Sequence, residues 1–429
     1  MSAPPRIGVI GGGILGLTAA LRFVQAGAQV KLFEREERVG GLVASFEVGG
    51  TPLERFYHHL FRSDVDVQAL IHEVGLGEHL VWLKPDTSVL TGGKFYSLDS
   101  ATDVLRFSPL GPIDRFRLGA AIGYLRLETN YHRLEGKTAA AWIRQWMGPE
   151  VYRVLWGPLL ESKFGVHAEK IALPWFWSRV HLRSPALGYV RGGFFRLYQR
   201  LADLLEEKGV ELHLGAEVKA IRSEGGTVRL ETGDGEETFD ALLATTPTRL
   251  FMRLAQGLSD EYRARYDWGE FSGAHSVILV LNRPLMDGIY WLNVNDPGFP
   301  FLAAVEHTNY MPASDYSGLH VLYLGNYLPM DHPLYGRPDE DVLTEFTEAL
   351  KRINPQFDRS WVVESHIFKA PYAQPIVTVD YPDHIPPHQT PLPGVFLANM
   401  FQVYPQDRGQ NYSVRMANGV AKQILASLV

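Results

Sequence analysis

The sequence predicts an α/β fold in which a parallel-sheet domain, assembled from separated stretches of chain, is interleaved with an α+β domain. Three observations predict it. The N-terminus runs strand, helix, strand within its first 34 residues. A glycine-rich turn joins the first strand to the helix. Blocks of short alternating strands recur after Gly209 and between residues 270 and 330, following a largely helical stretch.

Arg6–Gly11 (RIGVIG) is an apolar run closed by glycines, the pattern of a short buried strand. From Ile14 to Ala26 the period becomes helical, with Leu17, Ala20, Leu21 and Val24 on one face and Gly27 placed to end the helix. Gln29–Phe33 (QVKLF) is the second strand, closed by Glu34. Helices follow near Val67–Val74, over much of 112–147, and at Glu150–Leu160 and Phe194–Lys208. Strands are expected in VELHLG, EVKAIRS, TVRLETG and DALLATTP (210–247), then in HSVILVLN (275–282) and GLHVLYLGNY (318–327). Asp339–Ile353 reads as an amphipathic helix. The proline-rich stretch Tyr381–Pro393 reads as a rigid inter-domain loop, Gly394–Ala398 as a strand returning to the first sheet, and Tyr412–Leu428 as a closing helix.

Composition bounds the function. The chain has 429 residues, 46% hydrophobic and 21% charged, the balance of a globular protein rather than a disordered or fibrous one. At ~150 residues per domain the length allows two large interleaved domains. Lys and Arg (41) fall short of Asp and Glu (48), giving a net charge of −7, so no basic excess exists for nucleic acid. Cysteine is absent, which excludes disulfides, thiolate metal sites and a cysteine nucleophile and fits a reducing compartment. The N-terminus lacks the apolar run of a signal peptide, and nothing approaches the ~18–20 apolar residues of a membrane span. A cytoplasmic protein without a transmembrane segment is expected, its oligomeric state undetermined. No HExxH occurs, and His58, His59, His167 and His181 have no metal-ligand spacing, so no metal is expected. GxSxG is absent too.

The strongest signal is Gly11-x-Gly13-x-x-Gly16 between strand and helix. Gly11 permits the tight turn, Gly13 lets a pyrophosphate approach the backbone, and Gly16 lets helix and strand pack closely. The first-turn residues Ile14 and Leu15 add free N–H groups at the positive end of the helix. Glu34, ending the second strand, can accept hydrogen bonds from both ribose hydroxyls and would repel a 2′-phosphate. This is a Rossmann-like dinucleotide unit.

A glycine pair, Gly40-Gly41, follows Glu34 where a plain dinucleotide unit needs none. The whole run from Gly11 through Glu34 to Gly41 resembles the FAD fingerprint of the flavin amine oxidase superfamily, which includes protoporphyrinogen oxidases, phytoene desaturases and UDP-galactopyranose mutases. The resemblance implies FAD as cofactor, with Glu34 on the adenosine ribose and Gly40-Gly41 near pyrophosphate and flavin. Gly192-Gly193-Phe194 and the helix and strands after it resemble a second FAD-contacting stretch, with Val218 presenting backbone to the adenine. Gly394–Asn399 and Asp407-Arg408-Gly409-Gln410-Asn411-Tyr412 resemble the final flavin-binding turn and helix, which implies cofactor roles for Asn399, Gly409, Asn411 and Tyr412. The implied FAD domain comprises 1–90, 188–250 and 386–429, and the substrate domain 91–187 and 251–385.

Two departures are visible. Leu42 stands where many relatives carry Arg, leaving Arg35 or Arg38 to supply that phosphate contact. The strand expected to carry the amine oxidases' Lys is His275–Asn282, with Leu279 as the match, which leans away from simple amine oxidation. Candidate acid/base groups are His58 and His59, with hydrogen-bonded loop residues as the competing reading. Arg62, Arg179 and Tyr404 are candidate substrate contacts, and Lys163, Trp175, Trp177 and Arg183 fall on stretches that could face the cavity. The resemblance implies an FAD-dependent oxidoreductase passing a hydride from a small organic substrate to flavin N5, with dioxygen or another acceptor downstream. A non-redox enzyme like UDP-galactopyranose mutase, with Arg62, Arg179 and Arg183 clamping a pyrophosphate, and an FAD-containing scaffold stay open as alternatives.

Overall fold

The computed structural model describes residues 3–406 and 408–428. Strand β1 (Arg6–Ile10), helix α1 (Ile14–Gln25) and strand β2 (Gln29–Phe33) form the expected β-α-β unit. β1 is the central strand of a five-stranded sheet in which all pairings are parallel. It lies between β2 and Ala241–Ala244, with Glu211–His213 at one edge and Val395–Leu397 at the other. Helices α1, Phe195–Glu207 and Gln410–Ser427 cover one face. Their buried residues Leu17, Leu21, Leu201, Leu205, Val414 and Ile424 pack into one core with Val9, Val30 and Leu243 of the sheet. Buried on both faces, these strands read as continuous apolar runs.

The second sheet has seven strands among the described residues. Its order is Val362–Pro375, Phe271–Leu281, His320–Leu328, Ala303–Glu306, Ile289–Val294, Asp86–Thr91, Lys94–Ser97. Asp86–Thr91 pairs parallel with Ile289–Val294, so the expected boundary at residue 90 falls inside this sheet. The period of two divides the long strand Phe271–Leu281 cleanly. Ile278 and Val280 join the core facing the first domain, whereas Val277, Leu279 and Leu281 join a separate core under helix Asp339–Leu350. Leu279, fully buried there, therefore points away from the first domain. It cannot stand where a cofactor-facing Lys would.

The helical layer departs from its expected boundaries at one place. Glu150–Leu160 is not one helix. A turn at Pro149–Val151 passes into a π-turn, Tyr152–Trp156, before helix Gly157–Phe164. Pro158 explains it, because it has no N–H to donate and its ring crowds the carbonyl four residues back. The carbonyl so released, Val154 O, accepts from Asn295 Nδ2 at 3.1 Å, and the neighbouring Leu155 O accepts from the same nitrogen at 3.0 Å. Helix Leu173–His181 carries Trp175, Trp177 and Arg179, while Arg183 lies beyond its end.

A buried glutamate ties the large sheet to the helix Phe195–Glu207. Glu54 accepts from Tyr189 Oη at 2.8 Å and from Phe194 N, at the start of helix Phe195–Glu207. Its own carbonyl accepts from Tyr323 Oη of the large sheet at 2.8 Å. Burial pushes the Glu54 carboxyl up to about 7, with the bonds from Tyr189 and Phe194 opposing the rise.

Candidate active site

The turn after β1 is a cradle without side chains. Gly11 has φ +109°, and a Cβ there would lie 2.2 Å from Thr245 Oγ1. A Cβ on Gly16 would lie 2.0 Å from the Gly11 carbonyl oxygen. Gly13 differs: its φ is an ordinary −78°, and an added Cβ would meet nothing within 4 Å. It faces open space at the N-cap of α1, where no side chain caps the helix and no acid sits in the first turn. The N–H groups of Ile14 and Leu15 begin this helix. Gly40 N donates to Gly12 O at 3.0 Å, and the Cβ position of Gly41 lies 3.5 Å from Gly13 Cα, so the glycine pair closes the cradle's far wall.

Glu34 stands at the rim. Its carboxylate accepts from Gly12 N at 2.5 Å and Glu36 N at 2.9 Å. Its main chain pairs with the second expected stretch, Glu34 N donating to His213 O and Ala216 N to Glu34 O, both at 2.9 Å. Val218 follows, its side chain buried beside Phe33. Arg35 is exposed and paired with Glu36, and Arg38 is exposed, so neither is drawn into the cradle; Leu42 is half-buried in the turn Gly41–Val43.

The C-terminal turn supplies a second bare helix start. Gly409 (φ +140°) is the N-cap of Gln410–Ser427, again without a side-chain cap or a first-turn acid. Asn399 and Asn411 act as structural clasps. Asn399 is buried, donating to Thr246 O at 2.8 Å and accepting from Phe401 N at 2.9 Å. Asn411 Oδ1 accepts from Asp66 N and Val67 N, capping helix Val65–Glu73, while its Nδ2 is buried with no partner among the described residues. Replacing Asn411 with Ala is expected to lower stability by ~1–2 kcal/mol, read from urea unfolding, through loss of that cap. Tyr412 lies against the Gly409 turn. Asp407 lies outside the described residues.

Beside the Gly409 turn, Arg408 links a cluster of side chains drawn from distant segments. His58 Nδ1 is 2.5 Å from Phe56 O, and Tyr57 packs its ring on Tyr290, Trp291 and Tyr323. Arg408 bonds Tyr327 Oη and donates to Ala373 O at 2.7 Å. Lys163 Nζ lies 5.1 Å from the Tyr327 ring and 5.4 Å from that of Trp175. Arg179 covers the Trp175 ring at 5.3 Å. Burial lowers His58 to about 4, with the Phe56 carbonyl opposing and the Arg408 charge adding to the shift. Burial lowers His59 to about 3, helped by the charges of Arg183, His58 and Arg179. Both imidazoles are neutral near pH 7.

The model of one protein family, described as flavin containing amine oxidoreductase, matches residues 15–405. The chain belongs to that family. By its description, that family is one of flavin-containing oxidoreductases. Among curated proteins, a carotenoid phi-ring synthase of Streptomyces griseus is 26% identical over 303 residues, 61% of this chain and 56% of that one. A 4,4'-diaponeurosporene oxygenase of Staphylococcus aureus is 26% identical over 279 residues, 53% and 52% of the two chains. The chain thus spans about half the length of the curated relatives it matches. A solved structure of a candidate protoporphyrinogen oxidase from Exiguobacterium sp. 255-15 shares the fold over all of both chains, with TM-score 0.80 and 21% identity.

The residues present fit FAD. A Cβ-free cradle at an uncapped helix start suits a pyrophosphate, a carboxylate at its rim suits a ribose, and buried polar atoms without partners among the described residues, Asn411 Nδ2 and Thr246 Oγ1 among them, lie on the segments around it. His58, His59 and Arg179 come together. Tyr404 packs with Tyr131, which in turn meets Trp177. Arg62 is exposed, its guanidinium 3.9 Å over the Trp82 ring, and Arg183 pairs with Asp99 at 3.4 Å. Tyr327 escaped the sequence reading. Its only signal was the alternation in His320–Leu328 that puts it on the same face as Tyr323.

Proposed function

We propose that this oxidoreductase takes a hydride from a C–H bond of an apolar, conjugated small molecule. The observation that supports the reading is the cluster of aromatic rings gathered near Arg408, beside the Gly409 turn. The rings of Trp175 and Tyr327 are backed by Lys163, Arg179 and Arg408, and burial lowers His58 and His59 so that both are neutral near pH 7. Such ring faces suit a flat conjugated substrate, and neither imidazole offers a base that titrates near pH 7. The two curated relatives carry carotenoid names, which fits the same substrate class.

When bound, FAD supplies the two-electron acceptor at N5 of its ring. In this reading the N–H groups from Gly13 to Gly16 hold the pyrophosphate and Glu34 holds the ribose. Gly40 and Gly41 back the diphosphate, and the helix start at Gly409 and Gln410 directs partial positive charge at the flavin's pyrimidine edge. Tyr57, anchored on three rings of the large sheet, fixes the loop that carries His58 and His59. The Arg62 and Arg183 placements give no pyrophosphate clamp, so the mutase-like reading gains no support from them. A cytoplasmic location accords with the absence of cysteine.

The test is anaerobic mixing. A conjugated polyene in mild detergent is expected to bleach the oxidised flavin bands, and a primary amine such as putrescine to leave them. Bleaching by the amine alone would refute the reading. Two further results are expected. Glu34→Ala raises the Kd for FAD by roughly thirtyfold to a hundredfold, ~2–3 kcal/mol, measured by flavin fluorescence on reconstitution. The rate of flavin reduction stays level between pH 6 and pH 9, because His58 (about 4) and His59 (about 3) titrate below that range. A single ionisation near 6.5 in that rate would contradict the assignment of neutral imidazoles.

A further inference from the structure

Helix Pro112–Leu127 is apolar on two sides. Leu118, Ala121 and Leu125 face inward to the helical core. Ile113, Phe116, Ala120, Tyr124 and Leu127, at three- and four-residue spacing, form a second stripe that faces outward. Ile113 is 76% exposed, Phe116 73% and Leu127 83%. Leu105 of the preceding helix Ala101–Arg106 and Trp146 of Ala139–Trp146 are also exposed. Two arginines fix these elements to one another. Arg115 donates to Leu105 O at 2.8 Å and Leu110 O at 2.7 Å, and Arg117 donates to Gln145 O at 2.8 Å and Trp146 O at 3.1 Å. A rigid apolar face of this extent on a water-facing surface needs an occupant.

Charge selects the occupant. The chain carries −7 overall, yet Ala101–Leu127 holds Arg106, Arg115, Arg117 and Arg126 against Asp103 and Asp114. Asp103 is engaged in the capping box of Ser100. The apolar stripe is thus flanked by positive charge on an otherwise acidic protein. A two-fold pairing of this face with a second copy would bring like-charged arginines together. An anionic bilayer surface meets both features at once, with acyl chains for the stripe and phosphates for the arginines. No helix among the described residues is long and apolar enough to cross a membrane, so the contact would be interfacial.

We propose that this face docks the protein on anionic lipid bilayers, with Ile113, Phe116 and Leu127 seated below the headgroups and Arg106 and Arg126 among the phosphates. The inference stands apart from the substrate reading. It is tested by co-sedimentation of the FAD-loaded full chain with phosphatidylcholine vesicles and with phosphatidylcholine/phosphatidylglycerol vesicles. Binding is expected to the mixed vesicles only, weakened by added salt. The triple variant Ile113→Ser, Phe116→Ser, Leu127→Ser should bind about tenfold or more weakly, with its flavin content and melting curve unchanged. Arg106→Glu with Arg126→Glu should remove the preference for anionic lipid. The proposal is overturned if neither vesicle binds the wild-type chain, or if binding survives both variants. It is equally overturned if the triple variant instead dissolves a dimer seen by sedimentation equilibrium without vesicles.

Discussion

Gly13→Ala is expected to leave the apoprotein folded and to empty it of FAD, whereas Gly16→Ala unsettles the fold as well. The two glycines belong to one motif, but their surroundings differ. At Gly13 the backbone has φ −78° and an added methyl meets no protein atom within 4 Å, so the unliganded chain has no reason to resist it. That space is where the pyrophosphate belongs in the proposed arrangement, so the methyl competes with the ligand alone. At Gly16 the methyl would sit 2.0 Å from the Gly11 carbonyl, and α1 must move off β1. Overpacking of this kind destabilises by ~1–3 kcal/mol. The expected results are an unchanged apoprotein melting temperature for Gly13→Ala with at least a roughly tenfold rise in the Kd for FAD (~1.4 kcal/mol), and a lowered melting temperature for Gly16→Ala. A Gly13→Ala protein purified with full flavin absorbance would remove the cradle from the cofactor site.

Glu54→Gln is expected to change how stability depends on pH. In the folded chain burial raises the carboxyl from its ordinary 4.5 to about 7. Between those values the native state holds a proton that the unfolded chain has released. The contribution of this group therefore falls as pH rises through that window, by about 3 kcal/mol once pH exceeds 7. Glutamine matches the protonated acid in shape and can still accept from Phe194 N, but it does not titrate. Urea unfolding with saturating FAD should show the variant gaining about 2.5 kcal/mol on the wild type between pH 5 and pH 8. Parallel stability curves would mean that Glu54 is already ionised at little penalty in the native state. The effect matters to the site because Glu54 joins the large sheet, through Tyr323, to the helix that starts at Phe194.

Local pattern carried much of the fold. The β-α-β unit was legible because apolar period and glycine position act within a few residues, and α1 and β2 match their expected spans closely. The break at Tyr152–Trp156 was not, although Pro158 marked it, because a π-turn is tolerable only when something takes up the released carbonyl. That partner, Asn295, is remote in sequence. Leu279 failed for a related reason. The strand was visible in HSVILVLN, but which of its two faces meets the first domain depends on pairing with His320–Leu328 and Val362–Pro375. Asn399 and Asn411 were legible as members of a turn but not as clasps, since their partners lie at Thr246 and Asp66.

By itself, then, the sequence determined the glycine-rich turn, with Gly11, Gly13, Gly16, Glu34 and the Gly40-Gly41 pair, because backbone geometry and helix dipole are properties of a short stretch of chain. Only the tertiary structure decided which side chains gather beside the Gly409 turn. His58, Lys163, Trp175, Arg179, Tyr327 and Arg408 come from distant segments, and their protonation and contacts arise from burial, which no local spacing encodes.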